Sequence, residues 1–531
     1  MTIYKKNFYF LTALLLFLSF PSFDFFLLKG NIFFAWIAFV PLFVFVREKT
    51  LKKVYFVSFL TGLFANFVRF YWVGFFAAEV NGGFILLNLL LIPFLSIFFA
   101  LRIFLAELFS RSFEHLRFII YPSVWIIFDW LISSGFVAFP LGYIGNTQYS
   151  FTPFIQIAAY IGVLGINFII MMANVLLADF IYNTIGKKLS FKNIFSSSSF
   201  KRMLVFTGAI IIIIFFGYSI LAPNKYYFRP EIKVSVVQSC ISPWEDWNHN
   251  KFKYLEDLKI YTEKSLKEKP DFIIWSESAT LETLSYHYFK NELSNFDEEL
   301  LKSVQKWGKP LFTGEIGVVT KKSGYNYPQN NVALINNLGH LVSKYSKMIL
   351  VTFGEWFPYA KWFPGLEEFI IRSGGSNFIP GEKQEVMSLD IGNKTYRFAP
   401  LICYEGTFPD FCRRFANKKI DFFINASNDG WTDSYAGHTQ HFSASIFRAI
   451  ENGKWLIRAG NTGYTAIIDP YGRIKSSLPI LDKNYLVDDL HLKLNHSTFY
   501  LEYGDLLLYC AVIFILIISV RGVSCAFFLN S

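Results

Sequence analysis

The stretch Tyr396 to Gly406, YRFAPLICYEG, drives an apolar run straight into a cysteine, with a carboxylate two positions later. The run 396–405 reads as a buried strand. Free cysteine is among the most often buried side chains, so Cys403 has a plain reading as a core thiol. Its place at a strand end beside Glu405 supports a second reading, a nucleophile tuned by its neighbours. What the other strand ends carry decides between them.

Working outward, IKVSVVQ (232–238), DFIIWSE (271–277), KPLFTGEIG (309–317), NNVALINNLG (330–339), IDFFINASND (420–429), KWLIRAGN (454–461) and YTAIIDPYG (464–472) also read as strands. NKFKYLEDLKIYTEKSLKE (250–268) has helical periodicity, and HTQHFSASIFRAIENG (438–453) reads as a helix stopped by Gly453. Strands and helices interleave, which predicts an α/β domain over 229–495, large enough for one substantial core. Two further strand ends carry ionisable residues. Glu277 ends IIWSE, and Lys347 lies in YSKMILVTFGEWFP with Glu355 after it. Alone, a Lys or Glu beside a loop is usually solvated. A Glu, a Lys and a Cys that all abut apolar strands point together to a site, because α/β proteins place their chemistry at strand ends.

The rest of the chain is apolar. Of 531 residues, 53% are hydrophobic and 63 are Phe, which excludes an ordinary soluble composition. Apolar runs at 8–22, 31–46, 54–76, 82–103, 117–134, 154–178, 203–222 and 500–520 predict about eight transmembrane helices. Lys5 and Lys6 precede the first run, but FPSFDFF follows it where a cleaved signal would show small residues, so it reads as an anchor. The net charge of +10 does not indicate nucleic acid, because the basic residues sit in short loops. Arg47, Lys49, Lys52, Lys53, Arg111, Arg117, Lys187, Lys188, Lys192, Lys201 and Arg202 fall in alternate loops, while EVNGG and GFVAFPLGYIGNTQYSFTP hold no Lys or Arg. That bias predicts a cytoplasmic N-terminus, with 229–495 on the outer side. The expected parts are 1–228 with seven helices, 229–495 catalytic, and 496–531 with the last helix. Arg69 and Asp129 fall inside spans. Arg69 reads either as a snorkelling contact for a lipid phosphate or as an interfacial anchor, and no partner for Asp129 stands out.

Cys240, Cys403, Cys412, Cys510 and Cys525 include no CxxC pair, so neither a disulfide framework nor a thiolate metal site is expected. His438 and His441 form HxxH without a third ligand and read as helix packing. N-x-S/T at Asn393, Asn425 and Asn495 is given no weight, and SSSS (196–199) reads as a flexible loop.

The order Glu277, Lys347, Cys403, with CYE at the thiol, resembles the nitrilase superfamily. YSKMILVTFGEWFP, LICYEGTFPD, the run NASNDGWTDS through QHFSASIFRAIENGKWLIRAGNTGYTAIIDPYGRI, and TFYLEYGD resemble the apolipoprotein N-acyltransferase family over nearly the whole chain. WSESA stands where W-P-E-T-A is usual, and Thr352 stands where the family pattern has Pro. The resemblance implies eight helices and an extracytoplasmic nitrilase-like αββα sandwich in a bacterial inner membrane. It implies transfer of a fatty acyl chain from a phospholipid to the α-amino group of an S-diacylglyceryl-cysteine apolipoprotein through a Cys403 thioester. It implies Glu277 as general base and Lys347 as oxyanion partner, with a backbone N–H near Cys403 or Tyr404 as second donor. Glu355 and Glu405 would orient Lys347 or the amine. Trp247, with Trp244 as rival, matches a tryptophan near the substrate, Trp431 a lid, and Arg458 either a site residue or a structural pair. The implied partners are the phospholipid donor, the diacylated acceptor and the bilayer, for a monomer without cofactor, metal or nucleic acid. Two other readings use the same residues: a membrane-tethered amidase or nitrile hydrolase, and a decayed, non-catalytic binding domain.

Overall fold

The computed structural model describes residues 8–528, apart from 77–84, 136–137, 187–190, 223–229, 321–324, 433 and parts of 358–375. Lys5, Lys6, the EVNGG loop, Lys187 and Lys188, which carry part of the charge bias, lie outside those residues. The chain divides into two compact units. One comprises Met1–Gly74, Ile85–Pro223 and Tyr503–Ser531, and the other Phe75–Phe84 and Asn224–Glu502.

Helix forms in every apolar run of the first unit: Phe8–Ser19, Val40–Val46, Leu51–Phe70, Ile85–Ser112, Arg117–Ile132, Ala158–Ile181, Ser198–Leu221 and Leu506–Phe528. Five described spans are long and apolar enough to cross a membrane: Leu51–Phe75, Asn88–Ser112, Glu114–Ile132, Ala158–Thr184 and Ser198–Leu221. The other three expected spans are shorter, at Phe10–Ser19, Phe34–Val46 and Leu506–Arg521. In the second of these, a 3-10 turn at Phe34–Trp36 precedes a helix that starts with Pro41 in its first turn. The expected span 154–178 is interrupted as well, because Gly162 adopts φ +63°, open to a residue without Cβ. The expected end at 103 is overrun to Ser112. Glu107, in the part beyond 103, is buried and paired with Arg117 at 2.7 Å. Ser198–Leu221 shows what surrounds this unit. Its span is only 6% buried, so its apolar residues face outward along a rod of about 36 Å, enough for a hydrocarbon core of about 30 Å. The protein is a membrane protein.

The charges inside the spans are accounted for within the unit. Asp129 accepts from Arg102 Nη1 at 2.9 Å and from Asn167 Nδ2 at 2.7 Å. Arg69 is buried rather than snorkelling, donates to Asn66 Oδ1 at 2.6 Å, and lies over the rings of Phe20 and Phe70. Asn66, Arg69, Arg102 and Asp129 line a cavity of about 30 Å³, room for roughly one water.

The second unit holds two six-stranded sheets. The strands are β1 (Ile232–Gln238), β2 (Phe272–Trp275), β3 (Leu311–Thr320), β4 (Asn326–Ile335), β5 (Leu341–Ser346), β6 (Met387–Ile391), β7 (Lys394–Ile402), β8 (Phe422–Ser427), β9 (Trp455–Gly460), β10 (Thr465–Ile468), β11 (Ile474–Leu478) and β12 (Asn484–Leu490). One sheet runs β12-β1-β2-β3-β4-β5 and the other β11-β10-β9-β8-β7-β6. In each sheet three central strands are parallel and the flanking pairs antiparallel. The central strands are buried on both faces, which is why FIIW, FFINAS and WLIRAG read as unbroken buried runs. Phe398 packs against Phe272 and Phe312 of the other sheet, joining the two into one core. Trp247–Leu266 and Asn295–Trp307 cover the first sheet, and Pro409–Ala416 and Tyr435–Asn452 the second, giving an αββα sandwich. Local signals set these helices. Ser294 and Asp297 form a capping box, and Gly308 and Gly453 end their helices at φ +61° and +60°.

Candidate active site

β7 ends at Ile402, one residue before the thiol, so Cys403 opens a 3-10 turn rather than lying in the strand. It adopts φ +50°, a region that costs a non-glycine residue roughly 1–3 kcal/mol. Ser278, next to Glu277, and Phe353, two before Glu355, are also non-glycine residues at positive φ, +54° and +66°. Strain thus sits at all three segments the sequence singled out. The turn after Glu277 fits because β3 carries Gly314 there, where a Cβ would lie 2.3 Å from Ser278 N. Thr352, in place of the pattern's Pro, bridges to Trp356 and closes the loop that carries Glu355.

Lys347 stands between two acids. Its Nζ lies 3.3 Å from Glu277 Oε1 and 2.8 Å from Glu355 Oε1. Asn330 Nδ2 donates to the same two oxygens, at 2.7 and 2.8 Å. Asn428 N fixes Glu277 Oε2 at 2.6 Å, and Val351 N fixes Glu355 Oε2 at 2.8 Å. Lys347 is 1% exposed, Glu277 4% and Cys403 5%. Burial alone would lower the lysine's pKa, but the Glu277 and Glu355 charges outweigh it and hold that pKa above the usual lysine range. The Cys403 thiol is pushed well up, first by burial and then by Glu277, with Lys347 pulling the other way. A resting neutral thiol beside a fixed ammonium follows. Lysine has three donors, and two point at the carboxylates, which leaves one direction for a developing oxyanion.

Glu405 does not touch Lys347 directly. Its carboxylate accepts from Tyr345 Oη (2.7 Å), Met348 N (2.7 Å), Ile349 N (3.3 Å) and Ile402 N (2.8 Å), tying the backbone after Lys347 to the residue before Cys403. Burial pushes its pKa up to about 7 against those donors. Tyr404 is buried, edge-on to Phe408. Trp247 is partly buried against the first sheet. It opens a helix, donates to Glu282 Oε1 at 2.9 Å, stacks on Tyr254 and packs against the first sheet's core. Its rival Trp244 and the lid candidate Trp431 both face Phe76, at 5.8 and 5.9 Å between ring centroids, and Phe76 also approaches Gly354 beside Glu355. The aromatic wall next to the Glu355 loop is thus Trp244, Trp431 and Phe76, and Phe76 had read as the end of a helix.

Sequence reading missed a second cluster. Arg458 on β9 is fully buried and bonds Asn425 Oδ1 and Asp429 Oδ2, each at 2.8 Å. Asp429 Oδ1 lies 2.6 Å from His441 Nδ1. His441 Nε2 and Asn425 Nδ2 each lie 3.2 Å from the Cys403 carbonyl oxygen. His441 is therefore not mere packing, and Arg458 belongs to the surroundings of Cys403. Burial works against the Asp429 charge, but Arg458 and His441 hold its carboxyl far below the usual range. Donor atoms of Cys403, Asp429 and His441 lie within 4.8 Å of one another, a set with metal-ligand chemistry. Arg458 already bonds both the carboxylate and the imidazole, so positive charge stands where a cation would go. The signal for this cluster was polar residues inside apolar strands, Asn425 in FFINAS and Arg458 in WLIRAG.

Comparison with known proteins places this geometry. Residues 12–176 match the apolipoprotein N-acyltransferase N-terminal domain and residues 233–498 the carbon-nitrogen hydrolase family. Apolipoprotein N-acyltransferase 1 of Treponema denticola is 29% identical over 532 residues, covering 95% of this chain and 94% of that protein. Apolipoprotein N-acyltransferase of Rickettsia typhi is 30% identical over 411 residues, 75% of each. Among solved structures, an amidase from Nesterenkonia sp. aligns at 17% identity with a TM-score of 0.37, covering 54% of this chain and 98% of that one. With both family models matched in tandem and relatives aligned along most of its length, the chain belongs to the apolipoprotein N-acyltransferase family, its second unit being a carbon-nitrogen hydrolase domain.

Proposed function

We propose that this protein moves a fatty acyl chain from a membrane phospholipid to the N-terminal α-amino group of S-diacylglyceryl-cysteine apolipoproteins, in two half-reactions through a Cys403 thioester. The observation that carries this is the buried Glu277–Lys347–Glu355 cluster beside a strained, buried cysteine in a chain of this family. In the first half-reaction Glu277 takes the thiol proton as sulfur attacks the ester carbonyl, and Lys347 steadies the oxyanion. The tetrahedral adduct collapses, the C–O bond breaks, and the lysophospholipid leaves with that proton. In the second, the acceptor's neutral amine attacks the thioester, Glu277 takes its extra proton, and the C–S bond breaks to return the thiol. Trp244, Trp431 and Phe76 offer aromatic surface suited to acyl chains.

The topology that fits is multi-pass in a bacterial inner membrane, with the N-terminus cytoplasmic and the catalytic part outside. Residues 1–228 and 496–531 supply the helices and 229–495 the chemistry, in a monomer. The test is intact mass after incubation with phospholipid and no acceptor, beside Cys403→Ser. Wild type should gain one fatty acyl mass that hydroxylamine or a diacylated cysteine peptide removes. Absence of an adduct, or loss of the acyl group to water as fast as to peptide, would favour the amidase-type hydrolase.

A further inference from the structure

The Cys403 carbonyl is gripped from two sides. Asn425, on β8 opposite Leu401 of β7, donates from below the turn, and His441, on the helix over that sheet, reaches the same oxygen with Nε2. Neither donor is free to drift. Asn425 Oδ1 is held by Arg458, Arg458 by Asp429, and Asp429 by His441, so four buried side chains form a ring that closes on one backbone oxygen. The ring is tight at Gly406 as well, where a Cβ would lie 2.8 Å from Asn425 Oδ1.

A carbonyl and the next residue's N–H share one planar peptide. Fixing the Cys403 oxygen therefore fixes the plane that carries the Tyr404 N–H, and with it the left-handed turn that presents the thiol. We propose that His441 is a positioning residue: with Asn425 it clamps the Cys403–Tyr404 peptide plane, so that the nucleophile meets an ester carbonyl in register with the oxyanion donors. His441 moves no proton in this scheme. The inference rests on Cys403 being the nucleophile, and it is independent of which ester is the natural donor.

The test compares attack on an ester with plain thiol reactivity in the full-length purified enzyme. The burst of nitrophenolate from p-nitrophenyl butyrate reads attack through the oxyanion site. Iodoacetamide alkylation of Cys403, followed by mass, reads the thiol alone. His441→Leu removes the donor, His441→Gln keeps an N–H at similar reach, and Asn425→Asp keeps the Arg458 bond but turns the other donor into an acceptor. His441→Leu and Asn425→Asp should slow the burst by about thirtyfold or more, somewhat less than the roughly 10²–10³ lost with a direct oxyanion donor, since the clamp acts through the peptide plane. His441→Gln should recover to within about fivefold, and alkylation should stay within about threefold throughout. Alkylation also reports folding, so a variant that collapses is recognised by it, and Gln against wild type still decides. Equal loss in Leu and Gln, or a fall in alkylation that tracks the burst, would overturn the clamp in favour of acid–base action on the thiol. A wild type that alkylates without any burst would overturn it too. A normal burst with no acyl uptake from phospholipid would sink the lipid-donor reading alone and leave the clamp standing.

Discussion

Each unit buries a cluster of charges, and the two clusters differ in what accompanies them. In the helical unit one carboxylate, Asp129, is answered by one guanidinium, Arg102, and one amide, Asn167, while Arg69 nearby bonds Asn66. In the catalytic unit two carboxylates, Glu277 and Glu355, share one ammonium, Lys347. Both sets are nearly dry. Only the second has a thiol close enough to feel its charges, and positive-φ residues at the segments that carry them. A buried ion pair by itself is weak grounds for function. A buried ion pair next to a strained thiol is a different object, because the proposed acyl transfer would give the strain and the desolvation a use.

The largest effect should come from Glu277→Gln. Acyl transfer should fall by roughly 10²–10⁴, the usual worth of a general base. Alkylation of Cys403 at pH 8 should instead quicken, because the Glu277 charge helps push the thiol up. Rates of transfer and alkylation falling together would remove Glu277 from the base role. Lys347→Met should also cost transfer at least a few hundredfold. Its alkylation should slow, since Lys347 pulls the thiol pKa down. Opposite signs in one assay would separate the two residues. Near-wild-type transfer in Lys347→Met would make the lysine structural.

The helical cluster should respond in stability and not in chemistry. Asp129→Leu leaves Arg102 buried without its carboxylate and should cost about 3 kcal/mol, read by thermal unfolding in detergent. Replacing both members, Arg102→Met with Asp129→Leu, should return to within about 1 kcal/mol of wild type. Transfer per folded molecule should be unchanged in both. Lost transfer in a folded double variant would mean that this cluster, too, serves the reaction.

How legible these clusters were in the sequence follows from burial. Strands at the centre of each sheet, such as β2, β7, β8 and β9, are apolar on both faces and were readable. The sequence reading passed over β5, β6, β11 and β12, the outermost strands, whose mixed exposure gives no clean apolar run. Glu277, Lys347 and Cys403 stood out because each interrupts an apolar run at its end. Asn425, Asp429, His441 and Asn330 did not, because a polar residue inside a strand or on a helix shows its partner only when strands from distant parts of the chain are in register. Arg102 was missed as the partner of Asp129 for a plainer reason: it stood at the expected end of a helix that in fact continues to Ser112. Trp247 matched a spacing, whereas what placed Trp244 beside the site loop was Phe76, more than a hundred residues earlier.

Glu405 offers the smallest and sharpest test, since it is a buried acid balanced by neutral donors rather than by a cation. Its pKa is raised from 4.5 to about 7 in the folded protein, by burial first. The folded state therefore binds the proton more tightly than the unfolded chain, and the sign of the linkage is opposite to that of a salt-bridged carboxylate. The stabilisation from this group is fully present below about pH 4.5 and is lost as pH rises through about 7. Between pH 6 and pH 8 the loss should be about 1 kcal/mol. Glu405→Gln cannot titrate, so whatever its absolute stability, its melting temperature should drop less than that of wild type over that interval. An equal drop in the two proteins would mean that the four donors hold Glu405 ionised throughout. It would then stand with Asp129, a carboxylate whose charge is answered inside the fold, instead of with the thiol of Cys403, whose ionisation burial and Glu277 oppose.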